Sequence, residues 1–270
     1  MTIPSNKIAT IIQARMSSSR LPFKVMVSLA GKPLLQRMIE RVNASILKGT
    51  VIVATSTELS DDPVESFCIK EGIRCFRGSL TDLLDRHLKA ADEVNADYVL
   101  KIPSDVPLID VDVINRVVNY FFKNIDKFDY VSNLHPASYP DGNDVEIMTI
   151  DVLRKAHLMA TKPMEREHTT PWIWENPGIN RIGNVVWETG LNYSMTHRWT
   201  IDYEEDYLFI KKIYDELYCA EKHFSMYDIL SLLERKPEIA AINNKYAGVN
   251  WYRNHLQELK TVTADQTKVI

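Results

Sequence analysis

Two short apolar runs rich in β-branched residues, Ile8–Ile12 and Val51–Thr55, and two further strand-like stretches, Ile73–Phe76 and Tyr98–Ile102, alternate with stretches of helical periodicity. Pro33–Leu47 carries Leu34, Leu35, Met38, Ile39 and Val42 at helical spacing, and residues 62–71 follow the second run as a short helix. A helix capped near Thr81 presents Leu83, Leu84, His87, Leu88 and Ala91. Another, after Asp110, presents Val113, Ile114, Val117, Val118 and Phe121. Strands in regular alternation with helices demand a largely parallel sheet joined by right-handed crossovers. At 270 residues the chain is long enough for one large α/β domain with an appendage.

Open α/β sheets bind ligands beyond the carboxyl ends of their strands, so those positions are read for chemistry. Beyond Ile12 the chain turns polar at Gln13 and enters a serine-rich loop closed by Leu21-Pro22, which carries Arg15, Arg20 and Lys24. No Asp or Glu precedes Glu40. Forked guanidinium donors and a lysine ammonium at a strand end are suited to a polyanion. Beyond Ile102, Pro103-Ser104-Asp105-Val106-Pro107 holds a carboxylate between two prolines. Magnesium takes one or two such carboxylates together with substrate phosphates, and Asp105 fits that role. Asp110 reads as a helix N-cap.

Further on, Phe128–Asn133 reads as a strand. A turn at Tyr139-Pro140-Asp141-Gly142 then feeds an alternating stretch in which Asp144 and Glu146 share a face. Arg166 and His168, before Thr169-Thr170-Pro171, read either as structural, capping a helix, or as ligands for an acidic acceptor. Thr200-Ile201 is expected to end a strand. Asp202, just beyond it, reads as an N-cap. Glu204-Glu205-Asp206 suit the positive end of the helix that follows.

These stretches carry a resemblance. Ala14-Arg15-Met16-Ser17-Ser18-Ser19-Arg20-Leu21-Pro22-Phe23-Lys24, then Gly31-Lys32-Pro33-Leu34-Leu35, Ser104-Asp105-Val106-Pro107, Tyr139–Glu146, Arg166–Pro171 and Arg198–Asp206 resemble the CMP-sugar synthetases. The spore-coat polysaccharide type of cytidylyltransferase is the group in view. The pattern there is ARMGSTRLPGK, so Ser17 and Phe23 stand where that family has glycine, as does Ser104 in the GDxPLI pattern.

The resemblance covers roughly the first 220 residues. It implies a three-layer, Rossmann-like nucleotidyltransferase fold of the GT-A kind over residues 1–240. An arm at about 135–195 would reach a second subunit of a homodimer, and 241–270 would be an extension whose last ten residues form a frayed tail. It further implies transfer of CMP from CTP to an acidic sugar. Gln13, Ala14, Arg15, Ser17, Ser18, Ser19, Arg20, Lys24, Thr55, Ser79 and Ser104 would hold the nucleotide, with Arg15, Arg20 and Lys24 acting on the leaving pyrophosphate. Asp105 and Asp202 would hold Mg2+. Asn133, Asp144, Glu146, Arg166 and His168 would face the acceptor.

Other classes fit less well. A net charge of −4 argues against a nucleic-acid binder. No apolar run reaches the length of a membrane span, and Gln13 and Arg15 interrupt any signal-peptide layout, so a cytoplasmic enzyme is expected. Cys68, Cys75 and Cys219 lack metal-ligand spacing and read as reduced thiols. Walker A, GxGxxG, GxSxG and HExxH motifs are absent. A glycosyltransferase of similar fold would need a DxD directly at a strand end, and Asp110-Val111-Asp112 opens a helix instead. A non-catalytic nucleotide-binding protein is opposed by retention of all five charged residues.

Overall fold

The computed structural model describes residues 3–220 and 222–270. Its first strands are β1 (Ile8–Gln13), β4 (Thr50–Ser56), β5 (Arg74–Gly78) and β6 (Tyr98–Pro103), with the two-residue β2 (Ser28–Leu29) and β3 (Lys32–Pro33) pairing as a separate ribbon. β7 (Tyr130–Ser132), β8 (Glu146–Thr149) and β9 (Ile182–Asn184) complete a seven-stranded sheet in the order β5-β4-β1-β6-β8-β7-β9. The expected parallel pairing holds across β5, β4, β1 and β6, whereas β8 runs antiparallel to both β6 and β7. The chain leaves β1 towards β4 on one side and returns to β6 on the other. The sheet therefore has its switch point beyond the ends of β1 and β6, where Gln13 lies opposite Pro103.

Alternate residues of each strand feed two cores, the direct result of a period-2 side-chain direction in a sheet covered on both faces. Ile8, Ile12, Val53, Leu100 and Ile102 pack under α1 (Leu34–Ala44), α2 (Asp62–Glu71), α4 (Val111–Lys123), α8 (Glu204–Leu217) and α9 (Met226–Arg235). Ala9, Ile11, Ile52, Ala54 and Val99 pack under α3 (Leu83–Asp92), α5 (Ile150–Met159) and two short helices, α6 (Pro163–His168) and α7 (Pro171–Trp174). A short α10 (Pro237–Ala240) follows α9. The architecture is the expected three-layer α/β one.

Asp110 caps α4 as expected, accepting from the amides of Asp112 at 2.8 Å and Val113 at 3.4 Å. The cap of α3 is Asp82, one residue beyond the expected Thr81.

Three expectations differ from the structure. Residues 135–195 do not stand apart as an arm. They supply β8, β9 and α5 to α7, because Ile147 and Met148 alternate between the two cores and Trp172, Trp174 and Trp187 are buried. No strand ends at Thr200-Ile201. Gly142, at φ +106°, lets the Asp141 turn lie directly on Trp199, where a Cβ would meet backbone at 2.7 Å, and only a bridge from Asp141 to Arg198 forms. The last ten residues are not a frayed tail: Val262 and Thr267 are buried, and the Lys268 amide donates to Gly248.

Candidate active site

The loop leaving β1 is tied down at both ends. The Ala14 amide donates to Ala54 at 3.0 Å, and the Phe23 amide to Met16 at 2.9 Å. Between them, the Met16 amide donates to the buried Asp61 carboxylate at 2.7 Å, so buried hydrogen bonds fix this polar loop alongside the packing of Ala14 and Met16 into the core. Lys24 leads off the next turn, and its ammonium lies between two carboxylates: 2.9 Å from Asp105 Oδ2 and 3.1 Å from Asp202 Oδ1, with the Ile201 carbonyl at 2.8 Å. Arg20 reaches the same Asp202 oxygen at 2.7 Å.

Asp105 projects from the loop after β6. The segment carrying Asp202 is stitched to it, with the Ile201 amide and the Thr200 hydroxyl both donating to the Asp105 carbonyl, at 2.8 and 3.1 Å. Residues 97 positions apart in sequence are thereby held on one cation. Asp202 does not cap α8. The capping oxygen belongs to Asp206, which accepts from the amides of Asp202 and Tyr203 at 3.0 Å each. The Asp206 carboxylate is fully buried and binds Arg198 through both oxygens at 3.0 Å. Arg198 in turn contacts Asp202 at 3.2 Å and Asp141 at 3.5 Å.

Electrostatics follow from these contacts. Burial pushes the Asp202 carboxyl up, but Lys24 and Arg20 outweigh it and hold the group well below the usual carboxylate range. Burial lowers the Lys24 ammonium, and Asp105 and Asp202 more than restore it, leaving it raised. Asp144 has no ion-pair partner among the described residues, and burial, then the neighbouring Asp105, outweigh the Gly142 amide and Lys101 and push its carboxyl up to about 6.

The carboxyl ends of the strands open into one cavity of about 580 Å³, within the range of small-molecule sites. Gln13, Ala14, Arg15, Ser17, Ser18, Ser19, Lys24, Ser104, Asp105, Asn133, Asp144, Glu146, His168 and Asp202 all line it. Other expected site residues lie elsewhere. Arg20 is outside the lining and joins it through Asp202. Thr55 is buried within β4, and Ser79 accepts the Asp82 amide at 3.1 Å as α3 begins. Arg166 is bound to Asp82, with Nε at 3.0 Å, and donates to the His157 carbonyl at 2.7 Å, so it holds α6 against α3 and does not face the cavity. Glu146 is not on a solvated face. It forms a buried ion pair with Lys101 and accepts the Tyr130 hydroxyl at 2.6 Å.

Sequence reasoning passed over Lys101, Arg86 and Asp141, which also line the cavity. A lysine inside an apolar strand run was the available signal for the first. Arg86 is 1% exposed, and its Nε and Nη1 atoms have no hydrogen-bond partner among the described residues. Burial and the nearby Arg15 lower its affinity for its proton, as expected of a cation awaiting an anion.

The model of a family described as "Cytidylyltransferase" matches residues 9–232. The spore coat polysaccharide biosynthesis protein SpsF of Bacillus subtilis is 31% identical over 241 residues, 87% of this chain and 97% of that one. A 3-deoxy-manno-octulosonate cytidylyltransferase of Chloroherpeton thalassium is 35% identical over 118 residues, 44% of this chain and 47% of its own. Among solved structures, a cytidylyltransferase from Leptospira borgpetersenii superposes with a TM-score of 0.81 at 32% identity, covering 87% of this chain and 96% of that one.

Proposed function

The chain belongs to the cytidylyltransferase family and is a CTP-dependent enzyme, and we propose that it transfers CMP from CTP to an acidic sugar, releasing pyrophosphate, in the synthesis of a surface polysaccharide. The observation that carries this reading is the Lys24 ammonium bracketed by Asp105 and Asp202 at the mouth of a cationic loop. A position that holds one cation between two hard carboxylates suits a second kind of cation, magnesium, which prefers such ligands. Asp105 and Asp202 would hold the ion, which when bound supplies charge neutralisation at the α-phosphate and the acceptor oxygen.

The chain's own residues do the remainder. An acceptor oxygen forms a bond to the α-phosphorus as the bond to the bridging oxygen of pyrophosphate breaks, opposite to it. Lys24, Arg15 and Arg20 balance the charge that develops on the leaving group, which is worth more in a cavity than in water. Arg86, buried and with Nε and Nη1 unpartnered among the described residues, supports an anionic substrate at the same end. Asp144, with its carboxyl pushed up to about 6, is the candidate to take the acceptor's proton. The named octulosonate relative supports an acidic 3-deoxy sugar as acceptor.

The proposal includes a cytoplasmic enzyme, where CTP is supplied, assembled as a homodimer. Val186 and Leu191, apolar and half exposed in the loop after β9, support a partner face there. Pyrophosphate release is to be measured with magnesium and each nucleoside triphosphate against a panel of acidic sugars. Release with CTP and one acceptor is expected. Equal release with other triphosphates, or none with CTP, overturns the reading.

A further inference from the structure

Residues 248–266 lie beyond the stretch that the family model matches, yet eight of them, among them Gly248, Val249, Trp251, Tyr252 and Val262, line the same cavity as Asp105 and Asp202. The segment is seated, not trailing. The Glu175 carboxylate accepts the amides of Lys260 at 2.6 Å and Thr261 at 2.9 Å, and Leu259 and Val262 are buried in the core beneath α5 and α7. Its start is fastened to the carboxylate cluster, where Arg198 donates to the Val249 carbonyl at 2.5 Å.

The segment presents to the cavity two aromatic rings, Trp251 and Tyr252, beside the polar Asn250, Asp265 and Gln266. The Trp251 ring lies parallel to His168, with centroids 3.8 Å apart and planes 13° from coplanar, and Tyr252 meets Trp174 edge-on at 6.2 Å. His135 stacks on Trp174 at 4.2 Å. Burial lowers both histidines, His168 to about 3 and His135 to about 4, so their rings are neutral. Trp251 and Tyr252 make ring contacts with His135, His168, Trp174 and His255; of the phosphate-type cations, Lys24 and Arg86 belong to the loop after β1 and to α3, and Arg15 of that loop lies near enough to help lower His168. Neutral aromatic faces of this kind pack against the C–H faces of a sugar ring and have little to offer a triphosphate.

Resting on the cytidylyltransferase reading above, we propose that residues 248–266 form the acceptor-facing wall of the cavity, and that Trp251 is a specificity-determining residue for the acceptor sugar. The wall selects by shape and stacking, while the loop after β1 handles the nucleotide. Acceptor choice and nucleotide choice are then carried by different parts of the chain.

The test uses the full chain with Trp251→Ala and Trp251→Phe. With CTP and the panel of acidic sugars, Trp251→Ala is expected to raise the acceptor KM roughly tenfold while the CTP KM stays within about twofold, and Trp251→Phe to restore most of the loss. An unchanged acceptor KM, or equal movement of both KM values, overturns the proposal. A second arm needs no acceptor: carbethoxylation of His168 by diethyl pyrocarbonate, read by peptide mass spectrometry. The reagent attacks neutral imidazole, and uncovering the ring raises the rate. Trp251→Ala is expected to speed it several-fold, with the CTP-induced rise in melting temperature retained. An unchanged rate overturns the wall. A wild-type chain inert toward every panel sugar counts against the acceptor class proposed above, and the second arm then decides the wall.

Discussion

Replacing Asp206 by Asn tests whether the site is organised by one buried carboxylate. Asp206 is fully buried and is the bidentate partner of Arg198, which is itself 3% exposed. It also accepts the amides of Asp202 and Tyr203 and the Asn243 side-chain amide at 2.9 Å. Removing one member of a buried ion pair costs about 3–5 kcal/mol, because the other charge is left uncompensated. Asn keeps the shape and one acceptor oxygen, and Arg198 keeps Asp202 at 3.2 Å and Asp141 at 3.5 Å, so the lower end, about 3 kcal/mol, is expected here. For a chain of this size that corresponds to a fall of roughly 6–12 °C in Tm. The assay is urea denaturation followed by fluorescence, with a thermal scan alongside. Glu205→Gln, which breaks the exposed, solvent-screened pair with Lys245, serves as the comparison and is expected to cost much less. A loss under about 1 kcal/mol for Asp206→Asn, or equal losses in both variants, refutes the reasoning.

Asp105→Ala is expected to abolish pyrophosphate release with the fold intact, and Lys24→Met to lower kcat by about 10²-fold or more; full turnover in either variant removes that residue from the chemistry. Phe23 takes a left-handed backbone angle, φ 61°, with its side chain 60% exposed and away from the cavity lining. Phe23→Gly is therefore expected to stabilise the chain by about 0.5–1 kcal/mol net of unfolded-state entropy, leaving both KM values unchanged, as denaturation and kinetics would check. His87 is fully buried, and burial, then Lys101, lower it to about 3. The unfolded chain binds this proton below pH about 6.5 and the folded chain does not, so the group's contribution is full above that pH and is lost as pH falls towards 3. At pH 4 the loss is on the order of 3 kcal/mol, and His87→Gln is expected to flatten the stability curve between pH 4 and 6.5 relative to wild type.

The parallel half of the sheet was legible in the sequence because β1 and β4 declare themselves by β-branched runs, β5 and β6 by short strand-like stretches between helical patterns, and their ends by polar loops. Asp105 was legible for the same reason. Lys101 and Glu146 were not, since their pairing depends on β8 inserting antiparallel beside β6, a long-range event that no local pattern encodes. Arg166 was misplaced because an arginine's partner can lie anywhere, and here it is Asp82, 84 positions away. The aromatic stretch at 172–187 carried the apolar surface of an interface and of a core alike, and only packing decided for the core. Residues 241–270 lacked periodicity because they are held by capped backbone amides and isolated rings, which leave no repeat to read.

The position of Lys24 gives the resting site a built-in counter-ion. With its ammonium between Asp105 and Asp202, the carboxylates are already neutralised before any substrate arrives. On the function proposed above, loading a metal nucleotide would be an exchange of one cation for another, not an addition to a bare anionic hole. The displaced ammonium needs a new anion, and the incoming phosphates are that anion. Free metal offers no such compensation and must compete with a tethered rival at high local concentration. Metal and nucleotide are thus coupled through a single side chain, so each should bind more tightly in the presence of the other.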